Sequence, residues 1–191
     1  MLSRSLFLSL LAISLLTIFA QLAPVHPFLE WDRQAIASGQ WWRILTGNIT
    51  HTNWPHLAMN LAGLAILTQL FRFHLTTARL VTILFALGII VGLSLFFTEL
   101  ERYAGLSGIL HGLFIWGAWQ DIRQHRSGGK LLLAAGFVKV GWDIVTGGSA
   151  ETASLIQASI AVEAHLAGAL GGLALAYTFD KIQSHRSVSQ H

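Results

Sequence analysis

The sequence predicts an all-α, polytopic membrane protein built as a bundle of six transmembrane helices. Two observations carry that expectation. Of 191 residues, 53% are hydrophobic and only 11% are charged, against ~25% charged in a soluble domain. The apolar residues also gather into segments approaching the roughly 20 that a helix needs to cross the hydrocarbon core. So few charges cannot coat a water-soluble globule, which excludes a soluble enzyme and a nucleic-acid module. The formal charge of +3 comes from basic residues scattered along the chain, a pattern of membrane orientation and not of a basic patch. With no cysteine there is no disulfide, thiolate metal site or thiol nucleophile.

The candidate spans run over residues 6–22, 56–71, 80–98, 105–120, 131–146 and 155–179. They form a single membrane domain, 1–191, with a long outer loop over 23–55 and a short cytoplasmic tail. The fourth and fifth spans are short, and the fifth carries Lys139 and Asp143. The first span has a second reading as a cleavable signal peptide, with Arg4, an apolar run and small residues around 20–23. Loop charge sets the orientation. Arg4, Arg72, Arg79, Arg123, Arg126, Lys130, Lys181 and Arg186 fall on one side, and only Arg33, Arg43 and Arg102 on the other. Both termini are therefore expected in the cytoplasm. The outer loop carries Phe28, Trp31, Trp41, Trp42 and Trp54, side chains suited to the headgroup zone.

Polar groups inside a span are costly and mark functional candidates. Four places stand out: His56 with Asn60, Ser107 with His111, Lys139 with Asp143, and Glu163 with His165. The second, fourth and sixth spans all enter from the outer side, with His165 about 15 Å along its helix at ~1.5 Å per residue. These groups can thus meet in the outer half of the membrane. Gly108 with Gly112, and Gly168 with Gly172, are small-xxx-small pairs that let two helices approach closely.

Ser107 and His165 fit a nucleophile and its general base. The free N–H groups at a helix start, with His56 and Asn60 as side-chain donors, fit an oxyanion hole. No carboxylate is placed by the sequence to orient His165, since Glu163 lies on a different helix face, so a dyad is expected. His111 has three readings: the base itself, a packing partner for His165, which is favoured, or a satisfied core residue. Lys139 and Asp143, at i,i+4, are expected to neutralise one another. Glu163 stays open between a protonated acid, a partner for Lys139 and a substrate contact.

The motifs resemble those of a known family. Gly105-Leu106-Ser107-Gly108 is similar to the GxSG signature of rhomboid intramembrane serine proteases, and Ala164-His165-Leu166-Ala167-Gly168 with Gly172 to their AHxxG…G helix. His51, His56 and Asn60 fit HxxxxHxxxN, and Trp42-Arg43 fits the WR pattern of the first loop. The resemblance implies a six-helix bundle with a water-filled cavity open to the outside. Ser107 would be the nucleophile and His165 the base, with His56, Asn60 and the Ser107 amide as the oxyanion hole. Many rhomboids carry Tyr where this chain has His111. That departure and the small size resemble the rhombosortase branch, whose members remove C-terminal GlyGly-type sorting tails.

The expected activity is hydrolysis of a peptide bond at the outer end of a substrate's transmembrane segment, at the inner membrane of a bacterium with the site facing the periplasm. The expected partners are membrane-anchored proteins with Gly-rich C-terminal anchors and the bilayer itself, with no nucleic acid, cofactor or metal. Three rivals are a non-catalytic client-binding protein, a haem or metal protein using His56, His111 and His165, and a Ser–Lys protease with Lys139 as base.

Overall fold

A computed structural model describes residues 2–188, with side chains described as far as Thr178. The cytoplasmic tail expected after residue 179, with Lys181 and Arg186, lies outside the described side chains. Six long helices organise the described residues: α1 (Arg4–Ala20), α2 (Trp54–Leu70), α3 (Thr77–Ser94), α4 (Ser107–Arg123), α5 (Gly129–Thr146) and α6 (Val162–Val188). Strand is confined to one two-residue pair, β1 (Trp31–Asp32) and β2 (Arg102–Tyr103), antiparallel with Trp31 opposite Tyr103. The expected all-α bundle is what the chain forms.

Helix boundaries follow local chemistry. Ser3, Asn53 and Thr76 each accept an N–H from the first turn of α1, α2 and α3, respectively, satisfying donors that a helix start leaves free. Gly128 and Gly147, at φ 90° and 75°, bracket α5, where a left-handed residue suits glycine. The largest departure from expectation is at the last span. Residues 155 and 156 belong to a separate short helix, Ala150–Ile156, which ends at Gln157 with φ 55°. The α6 helix starts only at Val162. His165 therefore sits in the first turn of α6, level with its start, and not 15 Å along it. Hydropathy had merged two segments that a left-handed residue divides.

By length and composition, Thr77–Phe97 (21 residues, mean hydropathy 2.7) is long and apolar enough to cross a membrane. Helix α5 qualifies together with Ala150–Ile156 as a pair bent by 79°, and Arg4–Ala20 is a shorter apolar helix. Helices α2 and α4, at 17 residues each, carry His56, Asn60, Ser107 and His111 among their apolar residues.

Helix α4 is the axis of the bundle. Gly108, Ile109, Gly112, Leu113, Ile115, Trp116, Gly117 and Ala118 are all buried. Leu113 and Trp116 join a core with Leu64 and Phe71 of the α2 region and Leu80, Ile83 and Leu87 of α3. Outward-facing Leu15, Phe85, Val138 and Leu170 are exposed, an apolar rim suited to lipid.

The outer loop is folded, not slack. It holds the short helices His26–Leu29, Arg33–Ala37 and Arg43–Thr46. Arg43 is buried and donates to the Glu30 and Pro27 carbonyls at 2.7 and 2.9 Å and to Gln40 Oε1 at 2.8 Å. Trp31 Nε1 donates to the Gly92 carbonyl at 2.9 Å, tying the loop to α3. Arg33 caps the end of the same helix, reaching the Leu95, Thr98 and Leu100 carbonyls.

Candidate active site

Two glycine-lined helices create the site. A Cβ at Gly112 would lie 2.6 Å from the Gly168 carbonyl oxygen, and one at Gly108 would lie 2.9 Å from that of Ala164. In return, Cβ atoms at Gly168 and Gly172 would strike the carbonyls of Gly108 and Gly112. The two backbones are in mutual contact, and only glycine permits it. That approach brings together the first turns of α4 and α6.

There His165 Nε2 lies 2.9 Å from Ser107 Oγ. With the serine hydroxyl as donor the imidazole accepts at Nε2, the polarity a general base needs, and Nδ1 then carries the ring proton. His165 Nδ1 is buried with no hydrogen-bond partner. His111 lies flat on His165, with ring centroids 4.0 Å apart and planes 18° apart, while its Nδ1 donates to the Ser107 carbonyl at 2.8 Å. This is the arrangement expected of a packing partner.

Ser107 opens α4, so its N–H belongs to the group with no intrahelical acceptor. The loop before it is held in shape. Gly105 has φ 151°, its N–H bonds to the Gly47 carbonyl at 3.2 Å, and Tyr103 Oη donates to its carbonyl at 2.6 Å. A Cβ at Gly105 would come within 3.0 Å of the His56 ring, so this glycine keeps that ring beside the serine loop. Asn60, one turn below His56 on α2, has a buried Nδ2 with no partner. His56, Asn60, Ser107, His111 and His165 all line one cavity of about 350 Å³. An apolar groove of about 320 Å³ adjoins it, sharing Gly63, Leu110, His111 and Lys139 and lined further by Ile66 and Phe114.

The tautomer of His56 depends on a neighbour the sequence did not point to. Thr52 Oγ1 donates to the Ile156 carbonyl at 2.7 Å and also lies 3.0 Å from His56 Nδ1. The Thr52 N–H donates to the same Nδ1 at 3.5 Å, so Nδ1 is an acceptor and Nε2 carries the proton. The short helix Ala150–Ile156 thus reports directly to His56. Asn53 Nδ2 adds a second tie, to Leu155 O, at 2.9 Å. Beneath, His51 meets His56 edge to face, centroids 5.0 Å apart. Burial, then the nearby His56 and His26, push its pKa down to about 3.

The charges carried by α5 and α6 also resolve. Lys139 Nζ bonds both Asp143 oxygens, at 2.6 and 2.5 Å, as i,i+4 spacing suggested. Glu163 is exposed. The sequence placed no carboxylate beside His165; the structure does, because α5 carries Asp143 Oδ2 to 3.5 Å from His165 Nδ1. Spacing along one helix cannot reveal a partner on another. The signal available was the intramembrane carboxylate itself.

Among the described residues the group with metal-ligand proximity is His111, Asp143 and His165, within 4.8 Å of one another, not His56, His111 and His165. Its two imidazoles are stacked nearly parallel, so their lone pairs run side by side instead of converging on one ion. The carboxylate is already held by Lys139. The donor set fits a metal poorly.

A helical bundle presenting a serine–histidine pair to a cavity through glycine-packed helices defines a class of membrane protein. The chain belongs to the rhomboid family: the Rhomboid domain model matches residues 38–181. It is also similar to the protein named "Putative rhomboid protease YdcA" of Bacillus subtilis (strain 168), with 28% identity over 170 residues, covering 81% of this chain and 78% of the relative.

Proposed function

We propose that this rhomboid-family membrane protein is an intramembrane serine protease. The observation that carries this reading is the 2.9 Å contact between Ser107 Oγ and His165 Nε2 inside the cavity. Ser107 attacks the scissile carbonyl as His165 Nε2 takes its proton. The resulting oxyanion is met by the Ser107 N–H, Asn60 Nδ2 and, in its Nε2–H form, His56. His165 then passes the proton to the leaving amine, and water releases the acyl group by the same route in reverse.

The bundle crosses the membrane six times, with both termini in the cytoplasm and the cavity facing the periplasm of a bacterial inner membrane. The substrate is a membrane-anchored protein whose transmembrane segment unwinds at its outer end. Glycine lowers the cost of exposing a carbonyl there, because it is a poor helix former. His111, where many rhomboids carry Tyr, favours the rhombosortase branch and Gly-rich C-terminal tails as substrates. The Ser–Lys alternative is disfavoured because the Lys139 ammonium is bound to Asp143.

The test is co-expression with a Gly-rich C-terminal anchor, comparing wild type with Ser107→Ala for release and product mass. Release by wild type and none by a folded Ser107→Ala supports the reading. Equal release by the mutant refutes it.

A further inference from the structure

Asp143 has the wrong environment for a residue that exists only to neutralise Lys139. Its side chain is 2% exposed, whereas that of Lys139 is 59% exposed. An ion pair of this kind for its own sake gains little at a surface, and burying the carboxylate costs several kcal/mol. The lysine can swing into solvent, but the carboxylate has nowhere to go. On its other side lies the one group left unsatisfied by the serine contact: His165 Nδ1, buried and without a hydrogen-bond partner, 3.5 Å from Asp143 Oδ2. A buried N–H without an acceptor costs about 1–3 kcal/mol, and closing the gap to an ordinary bond length of ~2.9 Å needs only a small side-chain movement.

Resting on the protease reading above, we propose that Asp143 is the positioning residue for His165, accepting Nδ1–H and extending the pair to Ser107–His165–Asp143, with Lys139 competing for the same carboxylate. As the Ser107 Oγ–carbonyl bond forms, the hydroxyl proton moves to His165 Nε2. Nδ1–H keeps its proton, and ionised Asp143 faces the imidazolium without taking one. When the C–N bond breaks, the Nε2 proton leaves with the amine. The carboxylate acts through the ring, fixing its tautomer and its angle to the serine. Glu163 cannot substitute, being exposed and two residues away on the same helix.

The test uses the full chain purified in detergent. It measures cleavage of a Gly-rich C-terminal anchor peptide and the labelling rate by a fluorophosphonate, for wild type, Ser107→Ala, Asp143→Asn, Asp143→Glu and Glu163→Gln. Asp143→Asn is expected to lower kcat and labelling ~10- to 100-fold with KM little changed. Asp143→Glu recovers part of the loss, and Glu163→Gln matches wild type. Wild-type kcat in Asp143→Asn, or a loss confined to KM, overturns the proposal. So does Glu163→Gln falling as far as Asp143→Asn, since the loss would then follow any nearby carboxylate and not the imidazole contact. Should Asp143→Asn fail to fold, Asp143→Glu decides: a lowered kcat at unchanged KM supports the proposal, and wild-type kcat or a loss confined to KM overturns it. Turnover by Ser107→Ala would instead overturn the protease reading beneath it, a result distinct from an inactive Ser107→Ala beside a fully active Asp143→Asn.

Discussion

The imidazole of His111 lies flat on that of His165, 4.0 Å away and 18° from parallel, one turn below Ser107 on the same helix. It braces one face of the ring while the Ser107 hydroxyl meets its edge. What the brace requires is a flat ring, not a titrating one. Replacing His111 with Phe should keep fluorophosphonate labelling near wild type. His111→Ala, which leaves the ring unsupported, should slow it ~10-fold, a cost on the scale of stacking and misorientation. Equal loss in both variants would mean that the His111 nitrogens matter.

Helix contact through glycine makes a second prediction. A methyl group at Gly168 strikes the Gly108 carbonyl, so Gly168→Ala must push α4 and α6 apart. Overpacking of this kind costs about 1–3 kcal/mol. The thermal unfolding midpoint should fall, and labelling of Ser107 should fall further than that loss explains. Gly141, with nothing within 4 Å of a Cβ, is the control, and Gly141→Ala should match wild type in both measurements.

Thr52 ties the short helix Ala150–Ile156 to His56. Thr52→Val removes the hydroxyl and keeps the shape. Two effects are expected together: faster hydrogen exchange over 150–157, and kcat lowered ~10-fold as His56 loses the hydroxyl contact that holds its ring in place. Faster exchange with unchanged kcat would show that the short helix and His56 are independent.

His51 predicts a pH dependence of stability. In the unfolded chain it takes a proton near 6.5, while in the fold burial holds its pKa down to about 3. Below pH 6.5 the unfolded state therefore binds more protons, and stability falls as the solution is acidified toward pH 3. Thermal unfolding in detergent between pH 7 and 5 should show this decline, and His51→Leu should flatten it. An unchanged slope in the variant would assign the decline to other groups.

Much of this was legible in the chain itself. Low charge and long apolar runs specified a helical membrane bundle, because lipid forces backbone groups to bond internally and a continuous apolar run, unlike the alternating pattern of a barrel strand, does so as a helix. Ser107, His165, His56 and Asn60 stood out because a polar group in an apolar segment needs a reason. The glycine pairs marked the two helices that meet, since small residues four apart form a flat stripe. One boundary failed where composition carried no signal: Gln157 turns left-handed within a run that reads as a single helix.

What the sequence determined alone was therefore periodic or compositional: helix identity, the candidate site residues and the surfaces able to approach closely. Tertiary structure decided the rest. It folded the aromatic outer loop around buried Arg43, tied Thr52 to both Ile156 and His56, and set Asp143 beside His165. The Thr52–Ile156 and Asp143–His165 contacts join segments far apart in the chain, and local spacing holds no record of them. The second distance is set by how closely the backbones of α5 and α6 pack, which is a property of the assembled bundle.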